Sequence, residues 1–243
     1  MLPISARYRL SCPRSKAMRI VLIGATGMVG EGVLRACLKA RDVTEIIVIS
    51  RRALQGYEDP RLKVVITPHL ERFQAEGDVF AKVDACFFCV GVSSFRMSEA
   101  AYHAVTYDLT LHVAHELLRV SPAMTMVYVS GAGADSSEQG KTMWARIRGK
   151  TENALQRLPF RHVVIFRPAA IIPEDGIQSR TAVYRWMYVV LKPFLILARR
   201  ISPEHVLTTS VVGDAMLNAV RRGAPRSILN PPDIYRLAII SQA

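Results

Sequence analysis

The segment TMWARIRGK (142–150) sets Arg146, Arg148 and Lys150 beside one indole, Trp144, with no acid among them. Cations at this spacing can grip phosphate or sugar hydroxyls, and guanidinium does so through a planar fork of donors. An indole N–H donates a hydrogen bond but does not titrate near neutrality, so Trp144 cannot shuttle a proton. The plainer alternative is a solvated helix face. Far upstream, IGATGMVG places Gly24, Gly27 and Gly30 in a G-x-x-G-x-x-G spacing, directly after an apolar run and at the opening of a helical pattern. That context is the one a dinucleotide-binding turn requires. Gly24 permits the tight bend, Gly27 lets backbone N–H groups approach a pyrophosphate, and Gly30 allows close helix–strand packing. Thr26, Met28 and Val29 of the same turn join the cofactor set, and the helix N-terminus turns its positive dipole end toward the phosphates. A tight strand–helix turn with no ligand is the alternative here.

Roughly 20 residues further on, an acid at the end of the second strand would accept a hydrogen bond from a ribose 2′-hydroxyl, as NAD requires. Ser50, Arg51 and Arg52 stand there instead. A carboxylate would repel a 2′-phosphate, whereas guanidinium groups bind one. The reading is therefore NADP(H), with Arg51 and Arg52 on the 2′-phosphate; the alternative is two solvated arginines at a strand exit. After the fourth strand, Val90 and Gly91 would line adenine and ribose, with Cys89 beside them.

These residues need a frame, and the hydropathy pattern supplies one. Apolar runs at 18–25, 45–50, 62–68, 85–91, 125–131 and 162–170 alternate with helix-like stretches. Such alternation predicts an α/β protein with a doubly wound, mostly parallel sheet and helices on both faces. Ser98 is positioned to cap a long helix, and Ser210 to start one that stops at Gly223. Residues 18–243 read as one nucleotide-binding domain. Its part from about 171 onward reads as a small substrate or partner lobe, because the alternation breaks down there. The basic opening, 1–17, reads as a disordered leader.

Of 243 residues, half are hydrophobic and 21% charged, which excludes a disordered or fibrous chain. The net charge of +12 permits contact with nucleic acid, yet no nucleic-acid module is present, so no specific nucleic-acid partner is expected. The apolar stretch 182–198 is broken by Arg185, Lys192 and Pro193 and falls short of the ~20 residues a span needs, so no transmembrane span is expected. Residues 182–200 are instead a candidate homodimer or protein-partner surface. Four cysteines without a secretory signal suggest a cytoplasmic protein. Cys86 and Cys89 form a C-x-x-C, but an odd separation on a strand points them to opposite faces, which argues against a shared metal. His112 and His115 lack a third ligand, so no metal site is expected.

GATGMVG, CVGVSS, VYVSGAGAD and FRPAAI follow one another as in short-chain dehydrogenase/reductases of the extended or atypical kind, and the chain resembles that family over residues 18–240. SVVGDAMLNAV and ILNPPDIYRLA look like segments of the bacterial relatives of the Tat-interactive-protein group. The resemblance implies a Rossmann fold and a catalytic serine at the end of the fifth strand, matched by Ser130. It also implies a Tyr-x-x-x-Lys on the next helix, where tyrosine is the acid/base and lysine holds the nicotinamide ribose. Here that pattern is not intact. One register places Trp144 and Arg148 at these positions, the other Arg146 and Lys150, and neither has a tyrosine. RPAAIIPE, with Pro168, looks like the family's loop over the nicotinamide, although Arg167 could be a core-edge arginine holding backbone carbonyls. The catalytic set is then Ser130, Arg148 and Lys150, with Tyr102, Tyr107 and His103 as candidate proton donors. Two functions follow: an NADP(H)-dependent oxidoreductase on an unidentified small carbonyl or hydroxyl substrate, or a non-catalytic NADP(H)-binding regulator of a protein partner.

Overall fold

The computed structural model describes residues 17–174, 176–177 and 199–240. The expected leader, residue 17 apart, and the apolar stretch 182–198 lie outside them. Seven parallel strands form the central sheet: β1 (Met18–Ile23), β2 (Val43–Ser50), β3 (Leu62–Ile66), β4 (Ala85–Phe88), β5 (Thr125–Val129), β6 (His162–Phe166) and β9 (Ile228–Leu229). Their order is β3-β2-β1-β4-β5-β6-β9, and β7 (Ala170–Ile172) pairs with β8 (Val206–Thr208) in a separate two-stranded sheet. The doubly wound α/β architecture expected from the alternation is the one observed.

The sheet buries a core on each face, and period-2 alternation sorts side chains between them. Ile20, Leu22 and Phe87 face α1 (Met28–Lys39), with Val33, Leu34 and Cys37. Val21, Ile23, Cys86 and Phe88 face the other side. Cys86 thus belongs to the second core while Cys89 packs against the first. Central strands covered on both faces read as continuous apolar runs; β3, at the edge, leaves Val64 and Ile66 exposed.

On the second face, α2 (Glu99–His103) passes through a π turn (Ala104–Asp108) into α3 (Leu109–Val120). Ser98 caps α2 as expected, its hydroxyl accepting from the Ala101 N–H at 3.2 Å. α4 (Met143–Gln156) follows β5. α5 (Thr209–Arg222) does end at Gly223, but its cap is Thr208, not Ser210. Thr208 closes β8 with extended backbone and accepts from the Val211 N–H, whereas Ser210 is already inside the first turn. α6 (Pro231–Ile239) starts with an Asn230–Asp233 capping box. Much of the expected C-terminal lobe lies against the main core: Val212, Met216, Leu217, Leu229 and Ile234 join the α1-side cluster. Arg221 pairs with Asp42 at 2.5 Å, tying α5 to the turn between α1 and β2. Among the described residues no helix is long and apolar enough to cross a membrane.

Candidate functional site

The order of strands reverses between β1 and β4, and there their carboxyl ends open a cleft of about 1000 Å³. Open α/β sheets bind ligands at this position because the flanking loops diverge to opposite faces. The cleft runs from Ser50 and Arg51 across the glycine turn to Ser130, Trp144, Arg148 and Pro168. Of the residues expected to hold a cofactor, Gly24, Thr26, Gly27, Met28, Val29, Arg51, Cys89, Val90, Gly91, Ser130, Arg148 and Pro168 line it. Gly30, Arg52 and Lys150 are not among its lining residues.

The glycine turn is shaped by what cannot fit in it. Gly24 has φ +87°, and a Cβ there would lie 2.8 Å from the Cys89 carbonyl. A Cβ on Gly30 would come within 2.0 Å of the Gly24 oxygen, so α1 can lie against the turn only with glycine at that position. Gly27 is the N-cap of α1 and donates its own N–H to Gly24 O at 2.9 Å. The first N–H groups of such a helix have no intrahelical acceptor and are free to take an anion. At the far end Arg51 is exposed and makes no ion pair among the described residues. Arg52, expected beside it, only donates its backbone N–H to Ser50 Oγ at 3.4 Å. Across from them, His69 and Glu71 pair at 3.0 Å. Backbone N–H and His69 hold the Glu71 carboxyl below its usual range.

The opposite end is assembled by α4. Residues four apart share a helix face, and Trp144 and Arg148 are the pair turned to the cleft. This selects one of the two registers. Arg146 turns away, donating to both Glu99 carboxylate oxygens at 2.9 Å and to the Gly140 carbonyl at 2.8 Å. Lys150, two residues beyond Arg148, points off the cleft, its Nζ 3.2 Å from His103 Nε2 and 4.7 Å from the centre of the Tyr107 ring. The catalytic expectation for Lys150 is corrected accordingly: helical phase removes it. His103 and Tyr107 leave with it, since neither lines the cleft.

Arg148 lies within 3.7 Å of where a Cβ on Gly91 would be and 3.9 Å of one on Gly131, bridging the ends of β4 and β5. Its Nε donates to the Tyr102 hydroxyl at 3.0 Å. Burial works against its charge, but Tyr128, Tyr102 and Glu152 outweigh burial and hold its pKa above the ordinary value. It is a permanent cation in a sheltered place.

Ser130 lines the cleft, yet its hydroxyl is committed elsewhere: it donates to Glu152. Glu152 is fully buried and pairs with Arg167, whose Nε donates to its two oxygens at 3.1 and 3.0 Å. Arg167 also donates to Ser136 Oγ at 2.6 Å. The serine expected to orient a carbonyl is thus locked into a buried Ser130–Glu152–Arg167 network, and Arg167 holds a carboxylate rather than backbone carbonyls. Sequence reasoning missed this network and the Tyr102–Arg148 contact. A signal for the first existed, since Ala145, Gly149 and Glu152 share the buried phase of α4, which marks Glu152 as an acid in need of a partner.

Burial pushes the Cys37 thiol up to about 12 and the Cys86 and Cys89 thiols up as well. His112 Nε2 lies 2.8 Å from the Phe73 carbonyl oxygen. Among the described residues there is no group of three metal-ligating side chains.

Fold and site together define a Rossmann-like α/β protein with one long cleft at the switch point. No protein-family model matches the chain. It is similar to "Protein fmp52, mitochondrial" of Emericella nidulans, at 26% identity over 169 residues, covering 67% of this chain and 70% of that one. Similarity to "Protein HTATIP2" of Rattus norvegicus is 24% over 157 residues, 63% of this chain and 62% of that one. A related fmp52 from Aspergillus clavatus is 28% identical over 66% of its own length, so the chain spans about two thirds of these relatives. Among solved structures, the fold matches the Bordetella bronchiseptica enzyme WbmF in complex with NAD+ (TM-score 0.62, 14% identity, 92% of this chain and 77% of that one). It also matches the MalC reductase/Diels-Alderase of Malbranchea aurantiaca (TM-score 0.63, 16% identity, 89% and 95%). The curated relatives by sequence named here are fungal and mammalian, so the expected bacterial affiliation finds no support in them. The expectation of a cytoplasmic protein is overturned, because the fungal relatives are named mitochondrial.

Proposed function

We propose that the chain is an atypical short-chain dehydrogenase/reductase that binds NADP(H) and acts on a small carbonyl or hydroxyl compound. The observation that carries this reading is a cleft with a backbone-lined glycine cradle in its middle and, at one end, Arg51, which makes no ion pair among the described residues. The cradle suits a pyrophosphate because side chains are excluded from it. Arg51 suits a 2′-phosphate, which no acid at the end of β2 opposes. When bound, NADPH supplies a hydride for a carbonyl carbon. The chain's residues do the rest: the N-terminus of α1 holds the pyrophosphate, Val90 and Gly91 border the adenosine, and Arg148 meets the nicotinamide ribose beneath Pro168. The names of the fungal relatives support a mitochondrial location.

Calorimetric titration with NADPH and NADH tests the reading. NADPH is expected to bind at least about tenfold more tightly, a difference of about 1.4 kcal/mol. Binding of neither ends the proposal. Trp144, standing where the family's acid is expected, favours a second reading, a cofactor-dependent regulator of a protein partner. Pull-downs returning the same proteins with and without NADPH dispose of that one.

A further inference from the structure

The cleft holds a phenol that the family's usual pattern does not contain. Tyr102 comes from α2, is 1% exposed and lines the cleft beside Arg148 and Ser130. Its hydroxyl accepts the Arg148 Nε–H at 3.0 Å, and among the described residues no acceptor takes the phenol's own proton. A buried hydroxyl keeps an unspent proton at a cost unless a ligand receives it. The other titratable groups expected here are accounted for. His103 is held by Asp108 and Lys150, and Tyr107 stacks on His103 under Lys150. Tyr128 is fully buried in the core, and burial pushes its pKa up to about 12.

Resting on the reductase reading above, we propose that Tyr102 is the proton donor of this site and Arg148 its fixed cation, a tyrosine–arginine pair drawn from two helices. In the reducing direction the carbonyl carbon gains the hydride of the bound cofactor, which is oxidised. The C=O π pair closes onto oxygen, and that oxygen takes the Tyr102 proton. The phenolate left behind faces the Arg148 guanidinium and recovers a proton from water. A permanent cation stabilises the transient phenolate without needing to titrate, a role open to arginine. Trp144 then closes the wall where the family's acid would stand.

The experiment compares wild type, Tyr102→Phe and, as control, Tyr107→Phe. Each is assayed for NADPH affinity by calorimetry, for NADPH-dependent reduction of 4-nitrobenzaldehyde and 9,10-phenanthrenequinone, and for hydrogen-exchange protection of the Arg148 Nε–H by NMR. Tyr102→Phe is expected to keep NADPH affinity within about threefold, to lose about a hundredfold or more in kcat with KM little changed, and to lose the Nε–H protection. Tyr107→Phe is expected to match wild type in all three. If Tyr102→Phe retains kcat within about threefold of wild type, the assignment of Tyr102 is overturned and the reductase reading stands. If wild type binds no NADPH, or binds it and reduces neither carbonyl, the reading beneath the proposal falls and the proposal falls with it.

Discussion

The two ends of the cleft are built by different means. The glycine-turn end comes from the N-terminal strands: β1, the glycine turn, the start of α1, and the exits of β2, β3 and β4. Its geometry is backbone geometry, set by where a Cβ cannot go. The other end gathers Tyr102, Ser130, Trp144, Arg148, Glu152 and Arg167 from α2, β5, α4 and β6, joined by side chains up to 46 residues apart. A backbone-built end leaves little freedom to change residue types, since its glycines are required by packing. An end built from side chains can exchange partners while the fold holds. That end departs from the pattern of the family the chain resembles: a tryptophan stands where the resemblance implies the acid, an arginine where it implies the lysine, and the serine is held in a buried ion-pair network.

Breaking that network should have the largest effect. Glu152→Ala leaves Arg167, 15% exposed, without its carboxylate. A loss of about 3–5 kcal/mol in urea unfolding is expected, because a buried charge without its partner is costly. A loss under about 1 kcal/mol would mean that this end of the cleft does not depend on the network. At the glycine-turn end, Gly30→Ala drives a methyl into the Gly24 carbonyl. It should cost about 2–3 kcal/mol and weaken NADPH binding, both absent if α1 can simply shift outward. Arg51→Glu should leave stability unchanged, lower NADPH affinity about tenfold or more, and spare NADH; equal losses for both cofactors would remove Arg51 from the 2′-phosphate.

The smallest effect is on pH dependence. Burial alone would push the Glu45 carboxyl up, but Lys63 and Arg19 hold it below its ordinary range. A folded pKa below the unfolded one contributes stability that is present above the unfolded value and lost as pH falls through the folded one. Acid should therefore weaken the β1–β2–β3 half of the sheet. In Glu45→Gln the acid-side fall of the urea midpoint should be shallower, and an unchanged slope would show that Lys63 and Arg19 do not hold this carboxylate.

Much of this was open to reading in the chain alone. The alternation of apolar runs and helical stretches determined the doubly wound sheet, and the glycine spacing determined the cradle, because strand period, helix period and steric exclusion at glycine act over a few neighbouring residues. Ser98 was legible as a cap for the same reason, whereas Ser210 was displaced by Thr208, a choice made by how β8 ends. What the tertiary structure alone decided was which side chains meet. The phase of α4 against α2 chose Trp144 and Arg148 over Arg146 and Lys150, and the same packing set Tyr102 on Arg148 and Ser130 on Glu152. Those pairings depend on how whole elements dock, and docking is fixed by burial summed over the two faces of the sheet rather than by any short run of residues.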